Sequence, residues 1–366
     1  MSLSQRVDAV IDAALESRIV GCVVLVNEGG KQVYARAAGF ADREAAVPVR
    51  EDTIFRLASV TKPIVAAAAL RMMEDGLLSL DDPVTKYLSF FTPKAPDGTI
   101  PTITIRHLLT HTSGIAYDKI PADVTRGSDP FPLFPLEENL RRLARGELSF
   151  APGTNWAYGM SIDVLGGVVG AINGNISDVE ATLRRYVLDP LGMNDSRFTV
   201  TDPARLAVPY GDGDPVPFRM AEPQLMINPM GGSNEMSPRR IFERDAAQAG
   251  GSGMAGTTGE FMRLLDAIVT GDFLKPETRK AALTNQVGSF LTGRRAGEQF
   301  GYFGAVITDA KAAGWPRDGM VRWGGIWGNN WALDPQTGTI AVAFTNTMFE
   351  GSDGRFRDDV RDAVFG

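Results

Sequence analysis

Two reactive side chains stand close together in the first quarter of the chain. Ser59 and Lys62 are three residues apart, and an alanine-rich apolar run, residues 64–70, follows them. The run predicts a buried helix that begins near Ser59 and ends around Gly76. A three-residue spacing puts both side chains on one face of that helix, and Pro63 is compatible with a first turn. A hydroxyl next to an amine is an arrangement that suits a nucleophile and its proton acceptor.

Two other interpretations of these neighbours stay open. Serine is a favoured N-cap residue, so Ser59 could serve only to cap the helix. The base could also be one of the two histidines, His107 and His111, which are four residues apart. That spacing is typical of a zinc site, but Leu108 stands where the motif needs a glutamate. We therefore predict no metal site and a structural, hydrogen-bonded role for His111, while a serine-histidine-aspartate triad remains an alternative.

Lys62 is a difficult base. A free lysine has a pKa near ~10.4, and making it neutral at pH 7 costs roughly 4 kcal/mol, of which a helix N-terminus supplies at most ~2 kcal/mol. Either desolvation does the rest, or Lys62 stays charged and stabilises a different base. Tyr158, in a turn-rich loop just before a helix, is the candidate for that base. A buried structural tyrosine is the alternative.

Acyl transfer also needs donors aimed at the developing oxyanion, each worth roughly 3 kcal/mol. The Ser59 N–H at the start of the helix is one candidate. The second should lie on backbone that can approach closely, and Trp323 is followed by Gly324 and Gly325 within an apolar strand pattern. Packing of these glycines against a tryptophan-rich core is the alternative explanation.

The elements that must position these residues follow from hydrophobic periodicity and turn residues. The patterns predict helices over residues 4–18, 136–146, 161–172, 178–188, 257–270 and 355–365. They predict strands over residues 20–26, 32–38, 302–308, 320–327, 329–333 and 339–345. A shorter helix is predicted over residues 104–111.

Strands near both ends with helices between them predict an α+β fold, an α/β sandwich. One antiparallel sheet is built from both chain termini and flanked by terminal helices, and a mostly helical domain is inserted. The sheet domain comprises residues 1–58 and 290–366, and the helical domain comprises residues 59–289. The active site is expected at the seam. The long irregular segments 118–135 and 201–250 are predicted to form pocket walls.

Composition restricts the partners. The 366 residues are 44% hydrophobic and 22% charged with a net charge of −7, as in an ordinary globular protein without affinity for nucleic acid. The N-terminus lacks the basic start and apolar run of a secretory signal, and no apolar stretch reaches the length of a membrane span. We predict a cytoplasmic protein that does not interact with membranes. Cys22, the single cysteine, is expected to be buried in the core.

Three short motifs then occur in a familiar order. Residues 59–62 (S-V-T-K), 158–160 (Y-G-M) and 323–325 (W-G-G) resemble the signature motifs of the serine β-lactamase and penicillin-binding-protein superfamily. The resemblance is closest to its class C branch and to the family VIII carboxylesterases. The segments 105–114, 150–153 and 163–166 look like further landmarks of the family, so the likeness spans about residues 5–350.

The resemblance implies a β-lactamase/transpeptidase-like fold and an acyl-enzyme mechanism without a cofactor. By this likeness Ser59 is the nucleophile, Lys62 is its proton partner and Tyr158 is the general base. The N–H groups of Ser59 and Ile326 form the oxyanion hole.

Two departures from the class C pattern concern the substrate. Met160 occupies the third position of Y-x-N, and Trp323 replaces the lysine of K-T-G. By the resemblance, Met160, Trp323, Gly324 and Gly325 contact substrate. An apolar tryptophan in place of a cation favours neutral esters over lactams that carry a carboxylate. We predict a carboxylesterase for small-molecule esters with small or medium acyl groups, with weak β-lactamase activity at most.

Three other activities stay open. The first is an amidase or peptidase of the same superfamily, such as a D-aminopeptidase or a 6-aminohexanoate-oligomer hydrolase. The second is an acyltransferase that passes the acyl group to an alcohol or amine. The third is a non-catalytic sensor that is acylated at Ser59 but not turned over. The sequence does not indicate an oligomeric state.

Overall fold

The computed structural model describes residues 1–130, 133–227, 233–290 and 295–366. The α-helices in chain order are α1 Leu3–Leu15, α2 Thr61–Glu74, α3 Ile105–Leu109, α4 Leu136–Leu143, α5 Ser161–Ile172, α6 Val179–Leu183, α7 Thr258–Val269, α8 Pro276–Ala282, α9 Ala310–Ala313, α10 Met348–Ser352 and α11 Arg355–Phe365. The strands are β1 Gly21–Glu28, β2 Lys31–Asp42, β3 Val47–Pro48, β4 Ile54–Arg56, β5 Tyr210–Gly211, β6 Phe218–Arg219, β7 Gln224–Ile227, β8 Ser233–Met236, β9 Ala255–Thr257, β10 Glu298–Phe300, β11 Ala305–Ile307, β12 Val321–Gly325, β13 Asn329–Asp334 and β14 Thr339–Thr345.

One antiparallel sheet joins the two ends of the chain. Its strand order is β10-β11-β12-β13-β14-β1-β2-β3. The central pairing is between β1 and β14, where Cys22 lies opposite Thr345 and Glu28 lies opposite Thr339. The prediction of an α+β fold with a sheet assembled from both termini is confirmed.

Both faces of this sheet are covered, which explains why β1 is buried along nearly its whole length. Alternate residues such as Cys22 and Val24 pack with the terminal helices α1 and α11 on one face. Val23 and Leu25 point into the main core on the other face, where α7 packs against β1 and β14. Cys22 is a buried core thiol as predicted, and burial raises its pKa to about 12.

The helical part is organised around α2, which is buried from Thr61 through Leu70. Its run of alanines allows α5 and α6 to pack directly on it. At its start, the short 3-10 turn Ala58–Val60 contacts β12 and β13 of the sheet. Ser59 therefore lies where the sheet meets the helices. The division into a sheet domain and a helical domain stays a prediction.

Most of the predicted helices and strands are present in the structure, and the differences between prediction and structure affect only short stretches of chain. The helix predicted over 178–188 is α6 followed by the π-helical segment Arg184–Leu188. The segment 201–250 contains two antiparallel strand pairs, β5 with β6 and β7 with β8, whose two- to four-residue strands are too short to produce a period-two pattern. Residues 131–132 and 228–232, in the predicted pocket-wall segments, lie outside the described residues. No helix in the described part of the chain has the length and apolarity needed to cross a membrane.

Candidate active site

Ser59 lies in a tight turn rather than at a capping position. The cap positions of the 3-10 turn and of α2 are occupied by Leu57 and Val60. Ala58, directly before the serine, has a φ of 46°, a left-handed conformation that costs a non-glycine residue of order ~1–3 kcal/mol. The preceding backbone is held by Asn329, whose side-chain amide donates to the Arg56 carbonyl at 2.6 Å. Local strain and a fixed backbone thus present the serine hydroxyl.

Two of the predicted partners converge on the Ser59 hydroxyl. Lys62 Nζ donates to Ser59 Oγ at 3.1 Å, and the Tyr158 hydroxyl donates to the same oxygen at 2.7 Å. Lys62 Nζ also lies 4.6 Å from the centre of the Tyr158 ring. Trp323 Nε1 donates to the Tyr158 hydroxyl at 3.3 Å. The structure therefore brings these four side chains into one hydrogen-bonded group.

Lys62 is buried, with 4% of its surface exposed, and its Nζ donates to the Gly251 carbonyl at 2.6 Å. Burial by itself lowers the pKa of a lysine, because it penalises the ammonium form. The neighbouring Tyr117, Tyr158 and Asp163 outweigh that penalty and hold the pKa of Lys62 above its usual range. The site therefore favours the ammonium form of Lys62.

Aromatic rings fix the position of Tyr158. Its ring centre lies 4.9 Å from that of His111, 5.1 Å from that of Trp323 and 5.6 Å from that of Tyr117. Trp156 stacks nearly parallel to it, with an interplanar angle of 19°. Rings at these separations contribute dispersion and quadrupole attraction beyond simple burial. These ring contacts consequently hold Tyr158 in position independently of the hydrogen bonds of its hydroxyl.

Both histidines make contacts that are typical of a structural role. His107 Nδ1 accepts a hydrogen bond from the Thr104 N–H and completes a capping box at the start of α3. His111 is 1% exposed and its ring packs against Trp156, Tyr158 and Phe300. Within the described ranges, no group of three or more His, Cys, Asp or Glu side chains could hold a metal ion.

The end of β12 approaches the nucleophile turn closely. A Cβ atom added to Gly325 would collide with the Leu57 carbonyl oxygen. Only glycine allows this approach. It places Ile326, directly after the strand, on the wall of the same cavity as Ser59. The two backbone N–H groups predicted for the oxyanion hole thus belong to segments that adjoin each other.

Replacing Gly325 by alanine is expected to lower kcat/KM by at least about 100-fold, because the added methyl group pushes β12 away from the nucleophile turn. Ester hydrolysis and thermal unfolding would be measured together. Gly259→Ala is the matched control, since an added Cβ at Gly259 meets nothing within 4 Å. Wild-type activity in Gly325→Ala would show that the close approach has no part in catalysis.

Ser59 opens into a cavity of about 530 Å³. The end of the cavity next to Ser59 is lined by Tyr158 and by residues 323–326 (Trp323, Gly324, Gly325 and Ile326). The structure thus brings these predicted site residues together. Both predicted pocket-wall segments contribute to its sides. Their lining residues are Arg126 and Ser128 from the first, and Asp212, Asn234 and Met236 from the second. Apolar contacts come from Ala58 and Phe349.

The cationic side chains of the cavity are paired. Three lining arginines each contact a carboxylate: Arg126 contacts Asp129 at 3.4 Å, Arg295 contacts Asp353 at 2.8 Å and Arg322 contacts Glu298 at 2.6 Å. Asp212 adds a carboxylate to the wall, and Glu350 also lies there, already in contact with Arg18 at 2.8 Å. Among the described lining residues, the charge of each arginine is therefore already balanced by a carboxylate, which leaves little positive charge to attract an anionic substrate.

Met160 lies in the core, apart from the other predicted site residues. It is fully buried, immediately before α5, and belongs to the main core. The described residues that line the cavity do not include it. Its predicted contact with substrate stays a prediction.

Asp163 and Gly251 also belong to this site, although the sequence analysis assigned them no role. Asp163 lies in the first turn of α5, and Gly251 is in a glycine-rich stretch, residues 250–253. The one signal in the sequence was a carboxylate within an otherwise apolar helix. Because nearly 90 residues separate Asp163 from Gly251, no local pattern links them to Lys62.

A serine that follows a strained residue, a buried lysine and a tyrosine, all located where the antiparallel sheet meets the helices, define a hydrolase that acts through a serine. The chain belongs to the beta-lactamase family, whose family model matches residues 7–364. The resemblance inferred from the three motifs is confirmed.

Individual relatives agree with this assignment. The chain is 45% identical to Esterase EstB from Burkholderia gladioli over 376 aligned residues, covering 100% of this chain and 95% of the relative. The solved structure of EstCE1, described as a hydrolase with promiscuous acyltransferase activity, superposes with a TM-score of 0.95 at 38% identity, covering 100% and 98% of the two chains. Simvastatin synthase from Aspergillus terreus shares the fold at 24% identity, with a TM-score of 0.74 and coverage of 100% and 98%.

Proposed function

We propose that this protein is a carboxylesterase that cleaves neutral esters with small or medium acyl groups through an acyl-enzyme on Ser59. The observation that carries the proposal is the hydrogen-bonded group in which Ser59 Oγ lies 2.7 Å from the Tyr158 hydroxyl and 3.1 Å from Lys62 Nζ. The full-length likeness to an esterase at 45% identity supports it.

The proposed reaction has two half-reactions. Deprotonated Tyr158 takes the proton from Ser59 while Ser59 Oγ bonds to the ester carbonyl carbon. The N–H groups of Ser59 and Ile326 stabilise the oxyanion. Tyr158 then gives the proton to the leaving alkoxide, which departs as an alcohol. Water attacks the acyl-enzyme by the same route, releases the carboxylic acid and restores the Ser59 hydroxyl.

Lys62 supports this reaction as a cation. Its ammonium group lies over the Tyr158 ring and donates to Ser59 Oγ. A nearby positive charge favours a phenolate over a phenol. The indole N–H of Trp323 donates to the Tyr158 hydroxyl at 3.3 Å and orients the oxygen that takes the proton in the proposed reaction.

The paired charges of the cavity support neutral esters as substrates. Trp323 stands in the position of a cation, and Arg126, Arg295 and Arg322 each already contact a carboxylate. A substrate carboxylate would have to compete with their partner carboxylates for these arginines and would share the cavity with Asp212. In the proposed site, Trp323, Gly324 and Gly325 contact the substrate.

The test compares a series of p-nitrophenyl esters of increasing acyl length with a chromogenic cephalosporin. We expect kcat/KM for short and medium esters to exceed that for the cephalosporin by at least about 1,000-fold, equivalent to roughly 4 kcal/mol in transition-state stabilisation. Matched amides should be hydrolysed far more slowly than the esters. Comparable rates on the cephalosporin, or a preference for amides, would reject the carboxylesterase proposal.

Acyl transfer to an alcohol is the second candidate. EstCE1, which is 38% identical over the whole chain, is described as a hydrolase with promiscuous acyltransferase activity. Adding an alcohol during ester turnover tests it, because transfer would yield the new ester at the expense of the free acid. A single burst without steady turnover would instead indicate an acylated sensor.

We also propose a cytoplasmic location, which the single cysteine, unpaired and buried in the core, supports. Cell fractionation of the expressing organism would test it.

A further inference from the structure

The proposed mechanism leaves one buried carboxylate next to the site without a role. Asp163, in the first turn of α5, is 2% exposed. We propose that Asp163 is a positioning residue that holds the backbone partner of Lys62 in place and supplies part of the negative charge that faces the buried Lys62 ammonium group. This inference rests on the proposed function, in which Lys62 acts as a cation.

The first step of the argument is a chain of contacts. Lys62 Nζ donates to Ser59 Oγ at 3.1 Å and to the Gly251 carbonyl at 2.6 Å. The Gly251 N–H in turn donates to Asp163 Oδ1 at 3.2 Å. Asp163 thus anchors the residue whose carbonyl fixes the direction of the Lys62 amine.

The second step is the packing around Gly251. A Cβ atom at this position would collide with Asp163 Oδ2. The carboxylate therefore lies directly against the Gly251 backbone, and glycine is required for this approach. Both sides of the contact are buried, so water cannot replace the carboxylate as a partner.

The third step is the charge balance at Lys62. Its surroundings contain Tyr117, Tyr158 and Asp163, and Arg126 faces Tyr117. Burial raises the pKa of Tyr117 to about 12, so this phenol is neutral at physiological pH. Burial also raises the pKa of Asp163, to about 6, while Lys62 and the Gly251 N–H oppose the rise. Asp163 is consequently ionised at pH 7, and together with Tyr158, which the proposed mechanism uses in its deprotonated form, it supplies the negative charge that faces Lys62.

The consequence concerns pH. Each opposite charge near a buried lysine raises its pKa, and losing one of them lowers it. Removing the charge of Asp163 should therefore let Lys62 lose its proton as the pH rises, and a neutral amine cannot stabilise deprotonated Tyr158. At pH 5, below the pKa of about 6 of Asp163, the wild-type carboxyl is itself mostly protonated and the difference should disappear.

The test is Asp163→Asn, since asparagine matches the protonated acid in shape and can still accept from the Gly251 N–H. Ester hydrolysis by the wild type and the variant would be measured from pH 5 to pH 9. We expect nearly equal kcat at pH 5 and a deficit in the variant that grows to at least about 10-fold at pH 9, with KM changed by less than about 3-fold.

Asp266→Asn is the matched control. Asp266 is a part-buried carboxylate whose pKa is also raised by burial, and it contacts Asn27 rather than the active site. Its replacement should leave the pH profile of kcat unchanged. A deficit in Asp163→Asn that is the same at every pH, or no deficit at all, would overturn the inference.

A second measurement does not depend on turnover. NMR of protein labelled at the lysine ε-carbon would follow the titration of Lys62, which should occur at lower pH in Asp163→Asn than in the wild type. Equal titration of Lys62 in both proteins would overturn the inference. Ester turnover that survives replacement of Ser59 would reject the proposed function instead, so the two failures are distinguishable.

Discussion

Replacement of Ser59 by alanine is expected to lower kcat/KM for p-nitrophenyl esters by at least about 10⁴-fold, because no other group can form the acyl-enzyme. The fold should survive. Ser59 is only partly buried, and its loss removes two hydrogen bonds to side chains rather than any core contact. We expect the free energy of unfolding to change by less than about 1 kcal/mol.

Two controls sharpen this experiment. Ser149→Ala removes a serine that donates to Asp118 at 2.8 Å and does not line the cavity in the described structure, so it should retain activity. A fluorophosphonate that modifies activated serines should add one equivalent to the wild type and none to Ser59→Ala, as measured by intact-protein mass spectrometry. Ester turnover that persists in Ser59→Ala would mean that the nucleophile lies elsewhere.

Replacement of Tyr158 by phenylalanine is the second large effect that we expect. The ring contacts with His111, Trp156 and Trp323 remain, while the hydroxyl that contacts Ser59 Oγ at 2.7 Å is lost. Loss of a general base typically costs about 10²–10⁴-fold, and we expect kcat to fall within that range. KM should change much less, because the shape of the cavity is preserved.

Tyr117→Phe is the matched comparison for this variant. Tyr117 lines the same cavity, and its ring centre lies 5.6 Å from that of Tyr158. Burial raises the pKa of Tyr117 to about 12, so it stays protonated at neutral pH and cannot accept the serine proton. We expect less than about a 10-fold loss of kcat, and a loss equal to that of Tyr158→Phe would remove the special role assigned to Tyr158. Thermal unfolding of both variants separates catalysis from stability.

Much of the fold could be predicted because its elements carry long, regular patterns. The helix over 161–172 and the final helix over 355–365 were predicted with the bounds of α5 and α11. The hairpin of β1 and β2 and the strand β14 also follow from apolar periodicity and turn residues.

The elements that escaped prediction are short or depend on partners far along the chain. β4 has three residues and pairs with β9, about 200 residues later. β10 also has three residues and is recognisable only through its pairing with β11. In such strands the hydrogen-bond ladder and burial come from the partner, so the local sequence shows no period.

The sequence by itself determined the local half of the site. Ser59 and Lys62 meet because a three-residue spacing at the start of a helix places them on one face, which is a property of the backbone alone. The motif order and the replacement of a cation by Trp323 were likewise visible in the sequence and indicated the family before any contact was known.

The contacts that set the charges in the site depend on the tertiary structure. It brought Tyr158 to Ser59 across 99 residues and Gly251 to Lys62 across 189 residues. It buried Asp163 beside Gly251 and paired the cavity arginines with carboxylates. Whether a lysine is charged, or an arginine is available to a substrate, depends on burial and on neighbours within a few ångströms. Those distances exist only after the chain has folded, because they join residues that no local pattern connects.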